Sequence, residues 1–136
     1  MKNTLCGLLL LVSLGSCEKA IERAKEDALI DAITTGYWKV TKYTKGTTDL
    51  TGSFNSYKFQ FKKTNSVDAL KNNTFEMTGL WQGDAANRTI TASFVNATEP
   101  LTLLNGTWTI TNSTWTSVDA TQAVDGVNCR LHLDKE

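Results

Sequence analysis

The chain has 136 residues, of which 14 are Lys or Arg and 14 are Asp or Glu, so its formal net charge is zero. This balance offers no electrostatic attraction for nucleic acid or for an anionic membrane surface, and we expect no nucleic-acid partner. The length suits a single domain. Only one of the three cysteines, Cys129, lies beyond residue 17, which excludes a disulfide framework.

The first 17 residues have the features of a secretory signal. Lys2 precedes an apolar run over residues 8–12, and the small residues Gly15 and Ser16 lead directly to Cys17. The apolar run is shorter than the roughly 20 residues that a membrane-spanning helix needs. The sequence Leu-Gly-Ser-Cys at 14–17 resembles a bacterial lipobox, in which the signal is cut before the cysteine and the cysteine carries lipid.

The lipobox resemblance implies three features of the mature protein. Residues 1–16 would be a lipoprotein signal peptide, and Cys17 would be the lipidated N-terminus that binds the membrane. The protein would be held in the bacterial cell envelope, and Glu18 after the cysteine is compatible with the outer membrane, facing either the periplasm or the surface. Two alternatives remain: an ordinary signal with a chance cysteine, and an uncleaved anchor or buried helix.

Residues 18–34 are rich in helix-forming residues and predict a helix. Its weak apolar stripe consists of Ile21, Ala24, Ala28, Leu29 and Ala32. Gly36 is suited to end the helix. We expect residues 17–35 to form a helical linker whose stripe docks on the following domain, with a frayed tether as the alternative.

From residue 36 onward the apolar residues alternate with polar ones. The pattern is clearest at 57–62, where aromatic residues alternate with Lys and Gln. Eight short strands are predicted, over 37–45, 53–62, 67–70, 74–82, 89–95, 106–111, 114–118 and 127–133. Strands and turns at this spacing favour an antiparallel barrel or sandwich.

A family resemblance narrows this choice. Gly36-Tyr37-Trp38 follows the predicted helix and resembles the Gly-x-Trp motif of the lipocalins. The chain is also similar to lipocalin-like lipoproteins of the Bacteroidetes, through the aromatic strand at 57–61 and the Gly-x-Trp sequences at 79–81 and 106–108. The resemblance implies an all-β domain over 36–136, an eight-stranded antiparallel up-and-down barrel preceded by one helix.

The lipocalin resemblance also implies roles for particular residues. In lipocalins the tryptophan of the motif packs at the closed end of the barrel, and an arginine from the last strand lies across it. Gly36 and Trp38 match the motif here, and Arg130 is the only arginine on the predicted last strand. The strands are shorter than in typical ligand-carrying lipocalins, so we expect any cavity to be small.

Residues for catalysis or metal binding are sparse. His132 is the only histidine, and its position in the alternation places it on the polar face. A nucleophile with a histidine base would need this residue, and metal sites of recognisable spacing need more histidines or cysteines than remain. No glycine-rich phosphate loop is present. We therefore expect no enzyme activity, no metal and no cofactor.

Large aromatic residues on the apolar faces are the main candidates for a binding site. The six that we expect to line a pocket are Phe59, Phe61, Trp81, Phe94, Trp108 and Trp115. An eight-stranded barrel is wide enough for side chains or for one small ligand. The rings could therefore fill the core, line an apolar pocket, or stack on sugars at an exposed platform.

Two functions follow from these alternatives, both for a monomer. The first is binding of a small apolar or amphipathic ligand in or at the mouth of the barrel. The second is a non-enzymatic interaction or inhibitor module with a filled barrel, which binds a protein or glycan through loops 46–52 and 96–105. A carrier should have free volume beside its tryptophans, whereas an interaction module should expose apolar loop residues such as Leu50, Leu101 or Leu103.

Overall fold

The N-terminal part of the fold is a helix. The structure, a computed structural model, describes residue 20 and residues 23–136. Helix α1 spans 23–34, in agreement with the predicted linker helix. Within these residues no helix combines the length and the apolar character needed to span a bilayer. The signal peptide predicted at 1–16 and the lipidation predicted at Cys17 lie outside the described residues.

Nine strands follow α1, and eight of them close a barrel. The strands are β1 (Trp38–Lys45), β2 (Thr48–Asp49), β3 (Tyr57–Phe61), β4 (Ser66–Lys71), β5 (Thr74–Asp84), β6 (Thr89–Ser93), β7 (Gly106–Ser113), β8 (Ser117–Val124) and β9 (Val127–Lys135). From β3 to β9 each strand pairs antiparallel with the next, and β1 pairs with both β3 and β9. Strand β2 only extends the end of β1. The predicted all-β, eight-stranded antiparallel up-and-down barrel with one preceding helix is therefore confirmed.

The up-and-down order gives the barrel two distinct ends. The helix end carries α1 and the turns at 62–65, 85–88 and 114–116. The opposite end, which we call the 3₁₀ end, carries two short 3₁₀ helices, η1 (Thr51–Phe54) and η2 (Leu101–Leu104), and the turns at 72–73 and 125–126. Each of the eight barrel strands thus runs between the two ends, and different elements cover each end.

The two 3₁₀ helices, η1 and η2, cover the 3₁₀ end of the barrel. Phe54 has no exposed surface, and Leu101 and Leu104 are 2% and 7% exposed. The hydroxyl of Tyr43, on β1, donates a 2.7 Å hydrogen bond to the carbonyl oxygen of Leu103. Burial raises the pKa of this phenol, so it remains a donor at neutral pH. The loops predicted as an exposed rim at 46–52 and 96–105 therefore contain the cap of this end.

Helix α1 covers part of the helix end. Ile33 is 4% exposed, and Leu29 packs against the same core cluster. Lys63, in the turn after β3, forms a 2.8 Å ion pair with Asp31 of the helix. Ala24, predicted to belong to the docking stripe, is exposed. Ala28, Leu29 and Ala32 of the same stripe are partly buried, so the last turns of the helix dock.

The bounds of the predicted strands shift in the structure, and two strands begin several residues later than predicted. The strand predicted at 53–62 begins at Tyr57, because η1 occupies the residues before Asn55. The strand predicted at 114–118 is β8, Ser117–Val124, and it begins after the turn at 114–116. That second shift moves Trp115 from a strand into a turn.

One seam of the barrel has little backbone pairing. Strands β1 and β3 share a single register pair, Trp38 with Phe59. Beyond that pair, η1 and the residue before it bond to β1. The amide of Tyr43 donates to Thr51 Oγ1 at 3.0 Å, and the amide of Leu50 donates to the carbonyl oxygen of Tyr43 at 2.9 Å. The loop 50–54 therefore substitutes for a strand at this seam.

Candidate functional site

A small apolar cavity lies inside the barrel. It is lined by side chains from six strands and from η2, and all of them are apolar. These residues are Phe59, Phe61, Val67, Ile90, Ala92, Phe94, Leu104, Trp108, Val118, Ala120, Leu131 and Leu133. They converge because inward positions recur every second residue along each strand. A space with such a lining favours an apolar occupant over water.

The volume of this cavity is about 50 Å³. Pockets for drug-sized ligands are roughly 300–1,000 Å³, and an apolar cavity of about 150 Å³ binds benzene. The interior is thus nearly filled by its own side chains. The remaining space suits a narrow group such as the end of one hydrocarbon chain.

The cavity has partial exposure mainly near the helix end, although Ala92 of β6 also keeps some. Phe61, Ile90 and Leu133 line it and keep partial exposure. Each lies close to the end of its strand that meets the helix end, whereas Leu104 at the other end of the cavity is buried beneath the 3₁₀ cap. We call the position between these three partly exposed residues the mouth.

Trp108 provides the largest ring of the cavity wall. It is 3% exposed, and its indole Nε1 donates a 2.9 Å hydrogen bond to the carbonyl oxygen of Leu104. The ring of Tyr43 meets it edge to face, with centroids 5.9 Å apart. Because the polar N–H of Trp108 is satisfied within the wall, only apolar surface of the ring faces the cavity.

Four of the six aromatic residues predicted to line a pocket line this interior cavity, and two lie elsewhere. Phe59, Phe61, Phe94 and Trp108 line the cavity. Trp81 is 5% exposed and packs edge to face on Phe61, 5.5 Å between centroids, but it does not line the cavity. Its Nε1 donates to the carbonyl oxygen of Lys62, which fixes the ring at the β3–β4 turn.

Trp115 is the predicted pocket residue that lies farthest from a buried position. It is 64% exposed and lies in the turn between β7 and β8, outside the barrel interior. The prediction failed because it placed a strand at 114–118. The aliphatic lining residues, such as Ile90, Val118 and Leu133, were not proposed as a site, although the alternation of their strands placed them inward.

The Gly-x-Trp motif packs at the helix end, against the last turn of α1. Trp38 is 1% exposed, and its Nε1 donates a 2.9 Å hydrogen bond to the carbonyl oxygen of Ile33. Gly36 has φ +75°, a conformation that L residues rarely adopt, and this allows the chain to turn from α1 into β1. The motif thus joins the helix to the barrel.

Lys135, not Arg130, lies across Trp38. Its Nζ is 5.0 Å from the ring centroid and donates a 2.8 Å hydrogen bond to the carbonyl oxygen of Ala32. Arg130 is exposed, since it alternates with the buried Cys129 and Leu131. The assignment of Arg130 to the motif is therefore wrong, and a different cation of the last strand fills that position.

The outer wall carries one cluster of titratable groups. His132 Nδ1 lies 2.5 Å from Asp119 Oδ1, and His132 Nε2 lies 3.1 Å from Asp134 Oδ1. Asp119 raises the pKa of His132, and the hydroxyl of Thr41, 2.7 Å away, lowers the pKa of Asp134. Only an imidazolium can donate to both carboxylates.

This cluster links strands β1, β8 and β9 at the line where the barrel closes. Both imidazole nitrogens of His132 already face carboxylates, which leaves neither as a base for a substrate. Among residue 20 and residues 23–136, no group of three His, Cys, Asp or Glu is arranged to hold a metal ion. The arrangement is thus structural, because its side chains link three strands. We call this group of His132, Asp119, Asp134 and Thr41 the clasp.

The fold and its lining define a closed antiparallel β-barrel with an apolar interior. No family model matches the sequence, and no curated protein matches it. A solved structure of similar fold is that of a DUF4847 family protein from Bacteroides vulgatus, at 12% sequence identity and a TM-score of 0.56. The match covers 79% of this chain and 97% of that protein. At this identity the likeness concerns the fold alone.

Proposed function

We propose that this protein is a lipid-anchored envelope barrel that binds a narrow apolar or amphipathic ligand, such as the end of one acyl chain. The observation that carries the proposal is the cavity of about 50 Å³ with an entirely apolar lining. Recognition would come from burial of hydrocarbon, which contributes about 0.8 kcal/mol for each CH₂. The polar end of an amphipathic ligand would remain at the mouth.

The size of the cavity limits what can bind. A whole drug-sized molecule would need several times the available volume. A straight hydrocarbon end would pass between Phe61, Ile90 and Leu133 and contact Trp108 inside. Further entry would require these side chains to change rotamer. Because such changes cost free energy, we expect binding to be weak.

The proposed location rests on the sequence at 14–17. A lipidated Cys17 would hold the barrel at a bacterial membrane, and we propose the outer membrane. Helix α1 joins this N-terminus to the helix end, which is also the end with the mouth. An acyl ligand would therefore enter from the side of the barrel nearest to the bilayer. A Bacteroides protein of similar fold is compatible with a bacterial source.

We propose that the protein has no enzyme activity and works as a monomer. Its single histidine is held between two carboxylates on the outer wall. The cavity contains no side chain that could act as acid, base or nucleophile. Binding is thus the chemistry that the interior supports.

The test uses a fatty acid brominated near its methyl end, since bromine quenches tryptophan fluorescence on contact. In the wild-type full chain we expect saturable quenching, and Trp108→Phe should remove most of it. Ala120→Leu, which adds volume to the cavity wall, should weaken quenching at least tenfold. Ala123→Leu is the matched control, because Ala123 lies on the same strand but is exposed. Absence of saturable quenching, or equal quenching in both alanine variants, would refute cavity binding.

The second candidate is the interaction module, and the nearly filled interior favours it. The loop residues expected to form its rim do not do so, because Leu101 is buried and Leu50 and Leu103 are half-buried. At the 3₁₀ end, however, Phe75 is 59% exposed and Val95 is 65% exposed. If native mass spectrometry of the protein from its own host gives a bare chain, these residues become the contact to test.

A further inference from the structure

We propose that the helix end of the barrel lies against the phospholipid bilayer, with Trp115 inserted among the headgroups. This inference rests on the lipid anchor of the proposed function and adds an orientation and a contact residue to it. It does not require that the cavity binds an acyl chain.

The exposure of Trp115 sets it apart from the other tryptophans. It is 64% exposed, whereas Trp38, Trp81 and Trp108 are each exposed by 5% or less. Its indole lies beside Ala28, Leu29 and Ala32 of α1, and together with the turn residues before it they form a shallow surface groove. Turn residues are usually polar, so a tryptophan here needs a reason other than folding.

The turns at the two barrel ends differ in chemistry. Those at the helix end carry Arg88, Trp115 and Lys63, the last paired with Asp31 of α1. Those at the 3₁₀ end are Gly46-Thr47, Asn72-Asn73 and Asp125-Gly126, which carry neither a cation nor a tryptophan. Tryptophan is enriched at membrane–water interfaces, where its ring is apolar and its N–H remains hydrated. Arg88, in another turn of the same end, suits the phosphate groups of lipids.

The length of chain before α1 limits how far this surface can lie from the membrane. Five residues lie between Cys17 and Arg23, and the six residue steps from one to the other span at most roughly 20 Å when fully extended. The five residues from Arg23 to Ala28 add a helical rise of about 7.5 Å. Trp115 lies at the level of Ala28, so a lipidated Cys17 would keep it within reach of the bilayer surface.

The same geometry favours a bilayer over a protein as the occupant of this surface. A lipid at Cys17 would hold the groove beside a membrane at all times, whereas a protein partner would have to enter the gap between them. The position of the mouth is consistent with this orientation, because Phe61, Ile90 and Leu133 would open toward lipid.

The test uses the lipidated full chain, reconstituted into phosphatidylcholine vesicles whose acyl chains are brominated near the headgroup. We expect bromine to quench a fraction of the tryptophan emission of the wild type, and Trp115→Phe should lose that fraction. The substitution should leave the thermal midpoint unchanged, because the ring is mostly exposed. Val95→Ser at the 3₁₀ end is the control and should be quenched as the wild type is.

The outcomes distinguish this proposal from cavity binding. Any quenching that persists in Trp115→Phe arises from the buried tryptophans and does not support a membrane contact of Trp115. Equal loss of emission in wild type and Trp115→Phe would overturn the membrane contact and leave the proposed function standing. Vesicle flotation reports the anchor: failure of the wild type to float, with Cys17→Ala behaving identically, would overturn the anchor and the orientation together.

Discussion

The ammonium group of Lys135 lies 5.0 Å from the centroid of the Trp38 ring and donates a hydrogen bond to the carbonyl oxygen of Ala32. The indole of Trp38 donates to the next carbonyl oxygen, that of Ile33. Two side chains of the barrel thus bind the last carbonyl groups of α1, which have no partner within the helix. A cation at this position also complements the helix dipole.

Lys135→Met should therefore loosen the helix and lower the stability of the barrel. We expect a loss of about 1–2 kcal/mol in the free energy of unfolding, from one hydrogen bond and one cation–π contact. Urea denaturation measures the loss, and hydrogen exchange should show faster exchange in α1. Arg130→Met, on the same strand but exposed, should change stability by less than about 0.5 kcal/mol. If both substitutions lowered the free energy of unfolding equally, Arg130 rather than Lys135 alone would have to stabilise the Gly-x-Trp motif.

Gly79→Ala should destabilise the barrel by overpacking. A Cβ at this position would lie 2.7 Å from the ring of Phe94 and 2.8 Å from the carbonyl oxygen of Ser93. Relief of this clash would move backbone, so we expect a loss of about 1–3 kcal/mol. Thermal denaturation, monitored by circular dichroism, should detect this loss of stability.

The control for this substitution is Gly52→Ala in η1. No atom lies within 4 Å of a Cβ built there, apart from the chain neighbours. Alanine at a compatible position restricts the unfolded chain, so we expect no loss and a gain of up to about 1 kcal/mol. Similar losses at the two glycines would show that packing against Phe94 is not what requires glycine at 79.

Much of the barrel could be predicted from the alternation of apolar and polar residues, because this pattern lies within each strand. Phe59, Phe61, Phe94 and Trp108 were placed inward because each strand keeps a period of two. Lys135 was missed because polar residues end the predicted strand at 133, and the carbonyl groups that hold Lys135 belong to α1. The cavity volume depends on how side chains of six strands interdigitate, which no local pattern contains.

The clasp at His132 predicts a dependence of stability on pH. Asp119 raises the folded-state pKa of His132 above its ordinary value of about 6.5. The stabilisation is complete below the unfolded pKa and is lost as pH rises through the folded pKa. Urea unfolding should therefore show that the free energy of unfolding of the wild type exceeds that of His132→Gln by an amount that falls as pH rises from about 6 to about 9. A constant difference across this window would mean that His132 stays neutral in the folded protein.

Asp134 should produce the opposite trend in acid. The hydroxyl of Thr41 lowers the folded-state pKa of Asp134, so its contribution is present above the unfolded pKa and is lost as pH falls through the folded one. Asp134→Asn should narrow the gap between stability at neutral pH and at about pH 3. Thr41→Val removes only the donor and should have a smaller effect of the same sign.

The weakly paired seam between β1 and β3 gives the last prediction. Thr51 Oγ1 accepts a hydrogen bond from the amide of Tyr43 at 3.0 Å and donates to Asp49 Oδ1 at 2.6 Å. Thr51→Val keeps the side-chain shape but leaves the Tyr43 amide without an acceptor, in a residue only 1% exposed. We expect a loss of about 1–3 kcal/mol, the cost of an unpaired buried amide.

The matched control for the seam is Thr47→Val, in the exposed turn between β1 and β2. It makes the same chemical change away from the seam and should leave the unfolding midpoint nearly constant. Hydrogen exchange provides a second measurement, because the Tyr43 amide should exchange faster in Thr51→Val only. If that amide stays protected in Thr51→Val, water or β3 must bond to it, and the loop 50–54 would not be what closes this side of the barrel.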